Sequence, residues 1–224
     1  SGVGLLFLLA TLAVWGGLSF KNEIIQQGAS AVNNLEQAKS NLDQFNFSQA
    51  ADNFALAAQD FGATTTTLNT FGASFISLFV SIPGLEQVKT AHDLAQAGRY
   101  IAKAGENMAL AVNTLSKLEL DKAPSLAKLA DEFKEVLVYA EGNINKANKI
   151  LADVDAASLP ADKQRAFIDF QAKVPEFQQY IGQAIDYTDF LYNVIGASGT
   201  RRYLVLLQNN TELRATGGFP GTYA

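Results

Sequence analysis

Residues 47–82 read FSQAADNFALAAQDFGATTTTLNTFGASFISLFVSI, and this stretch decides the fold. Its large apolar residues recur seven positions apart, which places them on one face of a helix. That row consists of Phe47, Phe54, Phe61, Leu68, Phe75 and Ile82. The small residues Ala50, Ala57 and Thr64 form the next row, and such residues favour close helix-on-helix packing. No coordinating residue accompanies the aromatic row, so it predicts a tightly packed core helix rather than a cofactor site.

Helical periodicity continues on both sides of this stretch. Before it, an apolar row indicates an amphipathic helix; its members are Ile24, Gly28, Val32, Leu35 and Leu42. After it, Pro83-Gly84 predicts a break and a helix over 85–118, whose Gly98 and Gly105 imply a close partner helix. A further helix follows Pro124 and ends before Ser158-Leu159-Pro160.

The last helical stretch spans about 162–195, with Pro175 predicting a kink or a split. Its apolar residues are Phe167, Phe170, Phe177, Tyr180, Ile181, Ile185, Phe190 and Leu191. Together these patterns predict a mainly α fold, an antiparallel bundle of five or six long helices joined by short loops over residues 21–196.

The chain begins with an uncharged apolar segment, residues 1–20, that as a helix is about 30 Å long and can cross a bilayer. The predicted transmembrane or assembly helix uses Leu5, Leu6, Phe7, Leu8, Leu9, Leu12, Val14, Trp15 and Leu18. A cleaved signal peptide and a helix buried in a protein assembly are the alternatives. Residues 61–85 also lack charge, but their Thr and Ser content favours a buried bundle helix over a second membrane span.

Composition argues against several classes of function. The 224 residues are 48% hydrophobic and carry a net charge of −5, with scattered Lys and Arg, so no basic footprint for nucleic acid is present. The single histidine, His92, and the absence of cysteine leave no ligand set suited to zinc or copper. We expect no metal, no cofactor and no catalytic residues, and therefore no enzyme.

The helical spacing of apolar residues ends near residue 201. Residues 203–208, YLVLLQ, form an apolar run typical of a buried strand, and Asn209-Asn210 and Gly217-Gly218 are turn signals. Residues 197–224 therefore predict a short β segment that begins a further, truncated domain.

This terminal stretch, YLVLLQNNTELRATGGFPGTYA, resembles the signature YLxLxQNNxELRxTGGF of a bacterial domain-of-unknown-function family of membrane-anchored envelope proteins. The matching positions, of unknown role, are Gln208, Asn209, Asn210, Glu212, Leu213, Arg214, Thr216, Gly217, Gly218 and Phe219. The resemblance implies a membrane helix followed by a large extracytoplasmic domain, and no established activity. A weaker resemblance links the N-terminal helix to type IV pilins, although Leu5 replaces their usual Glu.

Two interpretations of the signature stay open. In the first, its polar residues stabilise turns and make buried hydrogen bonds. In the second, a ligand or partner site is formed by Asn209, Asn210, Glu212 and Arg214. For the whole chain, we expect a non-catalytic cell-membrane protein whose extracytoplasmic helical stalk presents a C-terminal domain. Its expected partners are the lipid bilayer and further copies of itself. The alternatives are a subunit of an extracellular filament or sheath, and an enzyme with its active site beyond residue 224.

Overall fold

The computed structural model describes residues 21–76, 85–116, 126–194, 196, 199–209 and 219–223. The helices are α1 (Lys21–Asp43), α2 (Phe47–Ile76), α3 (Leu85–Ser116), α4 (Leu126–Ala152) and α5 (Ala161–Val194), with a 3₁₀ turn at Ala156–Ser158. Two short strands follow, β1 (Leu206–Asn209) and β2 (Phe219–Tyr223). The predicted mainly α, helical-bundle fold is confirmed.

The predicted N-terminal transmembrane helix, residues 1–20, lies outside the described residues. Among the helices that the structure does describe, none combines the length and apolarity needed to cross a bilayer. Residues 61–76 of the charge-free segment belong to α2, whereas 77–84 are outside the described ranges.

Each helix packs antiparallel against the next one in the chain. Between α1 and α2, the Asp60 carboxylate accepts hydrogen bonds from Ser30 (2.6 Å) and Asn34 (2.9 Å), whereas Thr67 lies 3.5 Å from Gln27. Residue numbers therefore rise along one helix as they fall along the other. Extensive packing joins consecutive helices, and α1 also touches α3, whereas α1 and α5 are not in contact, so the described helices form an open array.

The contact between α2 and α3 is the tightest in the array. A Cβ added to Gly98 would lie 2.9 Å from Cζ of Phe61, and one added to Gly105 would lie 2.7 Å from Cε1 of Phe54. The rings of the seven-residue row thus rest directly on the glycine backbone of α3. This confirms the close helix pairing that both rows predict.

The core around this contact is built mostly of alanine, which lets helix axes approach closely. Its main cluster joins all five helices and includes Ala31, Ala57, Phe61, Leu94, Ala102, Ala140, Leu151, Phe167 and Ile181. A smaller cluster of Ala50, Ala51 and Ala109 lies with Phe54 toward the other end of the α2–α3 pair.

The turn between α1 and α2 is a Schellman motif built without glycine. The amide of Asn46 donates to the carbonyl of Asn41 (2.8 Å), and that of Phe45 donates to Leu42 (3.0 Å). Phe45 occupies the left-handed position with φ of 58°, and its ring is exposed, 6.1 Å from that of Phe47. A bulky residue is disfavoured in this conformation, so the turn is locally strained.

Phe45→Gly is therefore expected to raise the free energy of unfolding by about 0.5–1 kcal/mol, because glycine adopts positive φ without strain. The gain is the left-handed strain released, less the edge-to-face contact with Phe47. Urea unfolding followed by circular dichroism measures it. Gln44→Gly is the matched control, expected to destabilise slightly, and an equal effect of both variants would contradict the strain argument.

The predicted break at Ser158-Leu159-Pro160 is present between α4 and α5. Oδ1 of Asp155 accepts from the amide of Ala157 (2.8 Å), and the Ser158 hydroxyl lies 2.8 Å from that of Thr90 on α3.

Pro175 does not split the last helix, since α5 runs unbroken through it. The α4–α5 pair is joined across its length by Gln171, which donates to the Leu151 carbonyl (2.7 Å), and by a Lys134–Asp189 ion pair.

Only some of the apolar residues of α5 are buried. Phe167 and Ile181 are buried, together with Val174 and Thr188. Four of the other apolar residues are well exposed, namely Phe177, Tyr180, Phe190 and Leu191. The neighbouring α4 covers only part of a broad apolar surface, and periodicity alone does not show which part.

Candidate functional site

The predicted site residues fall in and around the C-terminal strand pair. Gln208 and Asn209 lie in β1 and Phe219 begins β2. The other signature positions, Asn210, Glu212, Leu213, Arg214, Thr216, Gly217 and Gly218, fall within 210–218, outside the described residues. The ligand-site and turn-chemistry interpretations of Asn209, Asn210, Glu212 and Arg214 both stay predictions.

The backbone pairing nevertheless brings the two ends of the signature together. β1 and β2 are antiparallel, with Asn209 opposite Phe219 and Gln208 opposite Pro220. Leu207 pairs with Thr222, so Gly221 is an extra residue in β2 and forms a bulge. Proline has no amide hydrogen to donate to the ladder, which is consistent with an irregularity at Pro220.

Two glycines with positive φ lie between α5 and this strand pair. Gly196 has φ of 74° and Gly199 has φ of 154°, and a Cβ on Gly196 would lie 3.0 Å from the Gly199 carbonyl oxygen. The Tyr203 hydroxyl donates to the Val194 carbonyl at the end of α5. Tyr203 to Val205 precede β1 and are exposed, so the predicted buried strand does not extend back to them.

An open polar groove of about 460 Å³ runs between α4 and α5. Its lining is Glu141, Pro175, Gln178, Gln179, Gly182, Gln183 and Asp186. Ligand pockets are usually concave and mostly apolar with a few polar groups, and this groove is open and rich in amides and carboxylates. Sequence analysis missed it, because its residues come from two helices about 40 positions apart in the chain that meet only after folding.

Several of the described charged side chains form ion pairs within or between helices. Hydrogen bonding to Asp93 raises the pKa of Lys89, and hydrogen bonding to Lys163 lowers the pKa of Asp162. Nδ1 of His92 lies 3.3 Å from the same Asp93. Within the described ranges, no three His, Cys, Asp or Glu side chains gather into a group that could hold a metal ion.

Comparison with known proteins adds one match. The model of a family described as Protein of unknown function (DUF4012) matches residues 198–224. These residues contain every signature position, and the match is consistent with resemblance to a family of unknown function. No curated protein and no solved structure matches the chain. The described helices, which lie within residues 21–194, are outside the family match.

Proposed function

We propose that the chain is a non-catalytic, membrane-anchored protein of the cell envelope. In this proposal residues 1–20 hold it in the bilayer, the helical array is an extracytoplasmic stalk, and residues 197–224 begin the domain that the stalk presents. The resemblance of residues 203–224 to the signature of a family of membrane-anchored envelope proteins supports the envelope location. The uncharged first 20 residues support the anchor.

One geometric observation supports the stalk function. The five described helices are each antiparallel to the next, and because their number is odd, the chain enters the array at one end and leaves it at the other. Cross-helix contacts place the start of α1 level with the start of α5. Successive helices are in register through Gln27 beside Thr67, Phe61 beside Gly98, Tyr100 beside Lys146 and Leu151 beside Gln171. The 34 residues of α5 then extend about 50 Å in the direction away from that level. The C-terminal strands therefore leave the array at the end opposite residue 21.

The array is also built to resist bending, as a spacer must be. Phe54 and Phe61 interlock with glycines of α3, and the α4–α5 pair is tied near both ends by Gln171 and Lys134. Interlocked helices move as one body more readily than helices joined by loops alone.

A distance measurement tests the spacer geometry directly. Because the chain has no cysteine, spin labels can be placed at Glu23→Cys and Arg201→Cys, both exposed positions. We expect a narrow distribution at or above about 50 Å by pulsed electron paramagnetic resonance, from the length of α5. The control pair Glu23→Cys and Asn69→Cys should stay below about 25 Å, since neighbouring helix axes lie about 8–10 Å apart. A short or broad 23–201 distance would refute the stalk.

Anchoring and orientation need a separate experiment in bacterial cells. The chain is expected to stay in the membrane pellet after carbonate washing, and a membrane-impermeant maleimide is expected to label Arg201→Cys in intact cells. A Leu8→Lys, Leu12→Lys variant should be released, because charge in the span is costly. Labelling only after lysis would contradict the extracytoplasmic orientation, whatever the distance measurement shows.

The alternative function, a subunit of an extracellular filament or sheath with residues 1–20 buried between copies, is favoured by one feature. The exposed apolar half of α5 offers a contact between copies. Polymers shed into the medium and visible by electron microscopy would support this alternative, whereas retention of all chains in the membrane pellet would support the stalk.

A further inference from the structure

The C-terminal half of α5 carries a large exposed apolar surface, here called the α5 stripe. Its members are Phe177, Tyr180, Tyr187, Phe190, Leu191 and Val194, with exposed fractions from 38% to 69%. Scattered exposed apolar residues are ordinary on protein surfaces, but a contiguous patch of this size marks an interaction site.

The stripe has the spacing of a coiled-coil seam. Five of its members and the small residue Ala184 form a row at positions 177, 180, 184, 187, 191 and 194, which alternate three and four residues apart, and Phe190 lies beside this row. Such a row packs knobs into holes against a partner helix. The row that α4 covers is a different one, formed by Phe167, Val174, Ile181 and Thr188. The α5 stripe is thus a second seam, beside the core and without a partner helix among the described residues.

The stripe is confined to one half of the helix. Along the same side of α5, the N-terminal half carries Asp162, Arg165, Asp169, Lys173 and Glu176. Arg165 lies 3.2 Å from Asp169, as expected of a solvated helix surface. The apolar character begins at Phe177 and continues to the end of the helix, so it is a local property.

We infer that the α5 stripe binds the α5 stripe of a second copy of this chain, antiparallel and about a twofold axis. The area supports this occupant. A fully exposed aromatic side chain offers about 200 Å², so the four aromatic members alone expose about 500 Å², to which Leu191 and Val194 add. A stable interface buries about 800 Å² on each partner. One helix pair therefore supplies most of the area that a specific dimer needs.

The spacing and the charges fit the antiparallel arrangement. With the axis between residues 185 and 186, Phe177 faces Val194, Tyr180 faces Leu191 and Ala184 faces Tyr187 of the other copy. Tyr187, the most exposed ring of the stripe, is thereby placed opposite Ala184, the smallest residue in the seam. The acidic Glu176 of each copy lies toward the end at which Arg201 and Arg202 of the other follow α5.

Other occupants fit less well. Helix α1, the opposite edge of the array, has no large exposed apolar residue among its described side chains, which argues against stacking of arrays edge to edge. An anionic lipid surface requires Lys or Arg beside the apolar face. Residues 174–194 contain none, and they carry Glu176, Asp186 and Asp189.

Sedimentation equilibrium of the full chain in detergent micelles tests the association, which does not depend on membrane attachment. We expect a dimer at micromolar concentration. Tyr187→Lys should weaken the dimer about 30-fold or more, since it buries two unpaired charges at the centre of the seam. The matched control Leu56→Lys, an apolar residue of α2 that is 48% exposed, should leave the dimer intact. Unchanged circular dichroism shows that each variant is folded.

Distances between copies test the orientation. Spin labels at Gln183→Cys should lie close together, whereas labels at Lys173→Cys should lie about 40 Å apart, because each residue from the axis adds about 3 Å between the two copies. Equal short distances at both positions would mean a parallel pair and overturn the inference. A chain that stays monomeric at 100 µM, or a dimer that Tyr187→Lys leaves unaffected, would also overturn it. So would contact of the Gln183→Cys label with lipid, seen as line broadening by spin-labelled lipid in vesicles, if no distance between two copies is observed.

Discussion

Replacing Phe61 with alanine is expected to lower the free energy of unfolding by about 3–5 kcal/mol, the range for a large aromatic side chain removed from a closed core. The Phe61 ring is fully buried and rests against the backbone at Gly98. Helices α2 and α3 are long and held by their whole contact surface, so they cannot collapse onto the space left behind. The loss should therefore lie near the upper end of the range.

Urea unfolding of the full chain in detergent, followed by circular dichroism at 222 nm, measures this loss as a shift of the midpoint at constant slope. Leu56→Ala is the matched control, because Leu56 lies on the same helix with its side chain about half exposed. It should change the stability by less than about 0.5 kcal/mol. Equal costs for the two variants would show that the α2–α3 contact does not hold the array together.

The α2–α3 contact was predictable because both of its partners leave a pattern in the sequence. Phe54 and Phe61 are seven apart on one helix, and Gly98 and Gly105 are seven apart on another. When large side chains recur every seven residues on one helix and small residues recur every seven residues on another, the two helices can pack closely in few other ways. Helix number and direction follow from the short connections, and the structure agrees with both.

The burial of α5 was not predictable in the same way. Its apolar residues occupy two adjacent rows, one containing Ile181 and the other containing Tyr187. Periodicity shows that both rows are apolar, but which of them α4 covers depends on the rotation of α5, fixed by contacts such as Gln171 with Leu151 and Lys134 with Asp189. The Schellman turn at Phe45 was hidden for a related reason, since the sequence has phenylalanine where glycine would have signalled it.

The candidate site divides along a similar line. The signature, with residues such as Asn209 and Phe219, is contiguous in sequence, and so it was found without a structure. Most of its side chains belong to residues 210–218, which lie outside the described residues. The groove beside Gly182 and the exposure of the α5 stripe depend on how the helices pack, and no local sequence motif predicts them.

The second large effect is expected from single methyl groups placed on glycines of the array. Gly98→Ala should destabilise the protein by about 2 kcal/mol, although alanine favours a helix over glycine by about 1 kcal/mol. The new Cβ would lie 2.9–3.0 Å from three atoms of the Phe61 ring. This ring is enclosed on all sides and cannot swing away, so the two helices have to separate.

Two further glycines provide the comparison that isolates this effect. Nothing lies within 4 Å of a Cβ on Gly142 in α4, so Gly142→Ala should stabilise by about 0.5–1 kcal/mol, a difference of about 3 kcal/mol from Gly98→Ala. Gly105→Ala should fall between them. Its closest approach is shorter, 2.7 Å, but the Phe54 ring is only partly buried and has room to move. The same urea titrations rank the three variants. If Gly105→Ala proved costlier than Gly98→Ala, distance alone rather than the confinement of the facing ring would govern the packing of α2 on α3.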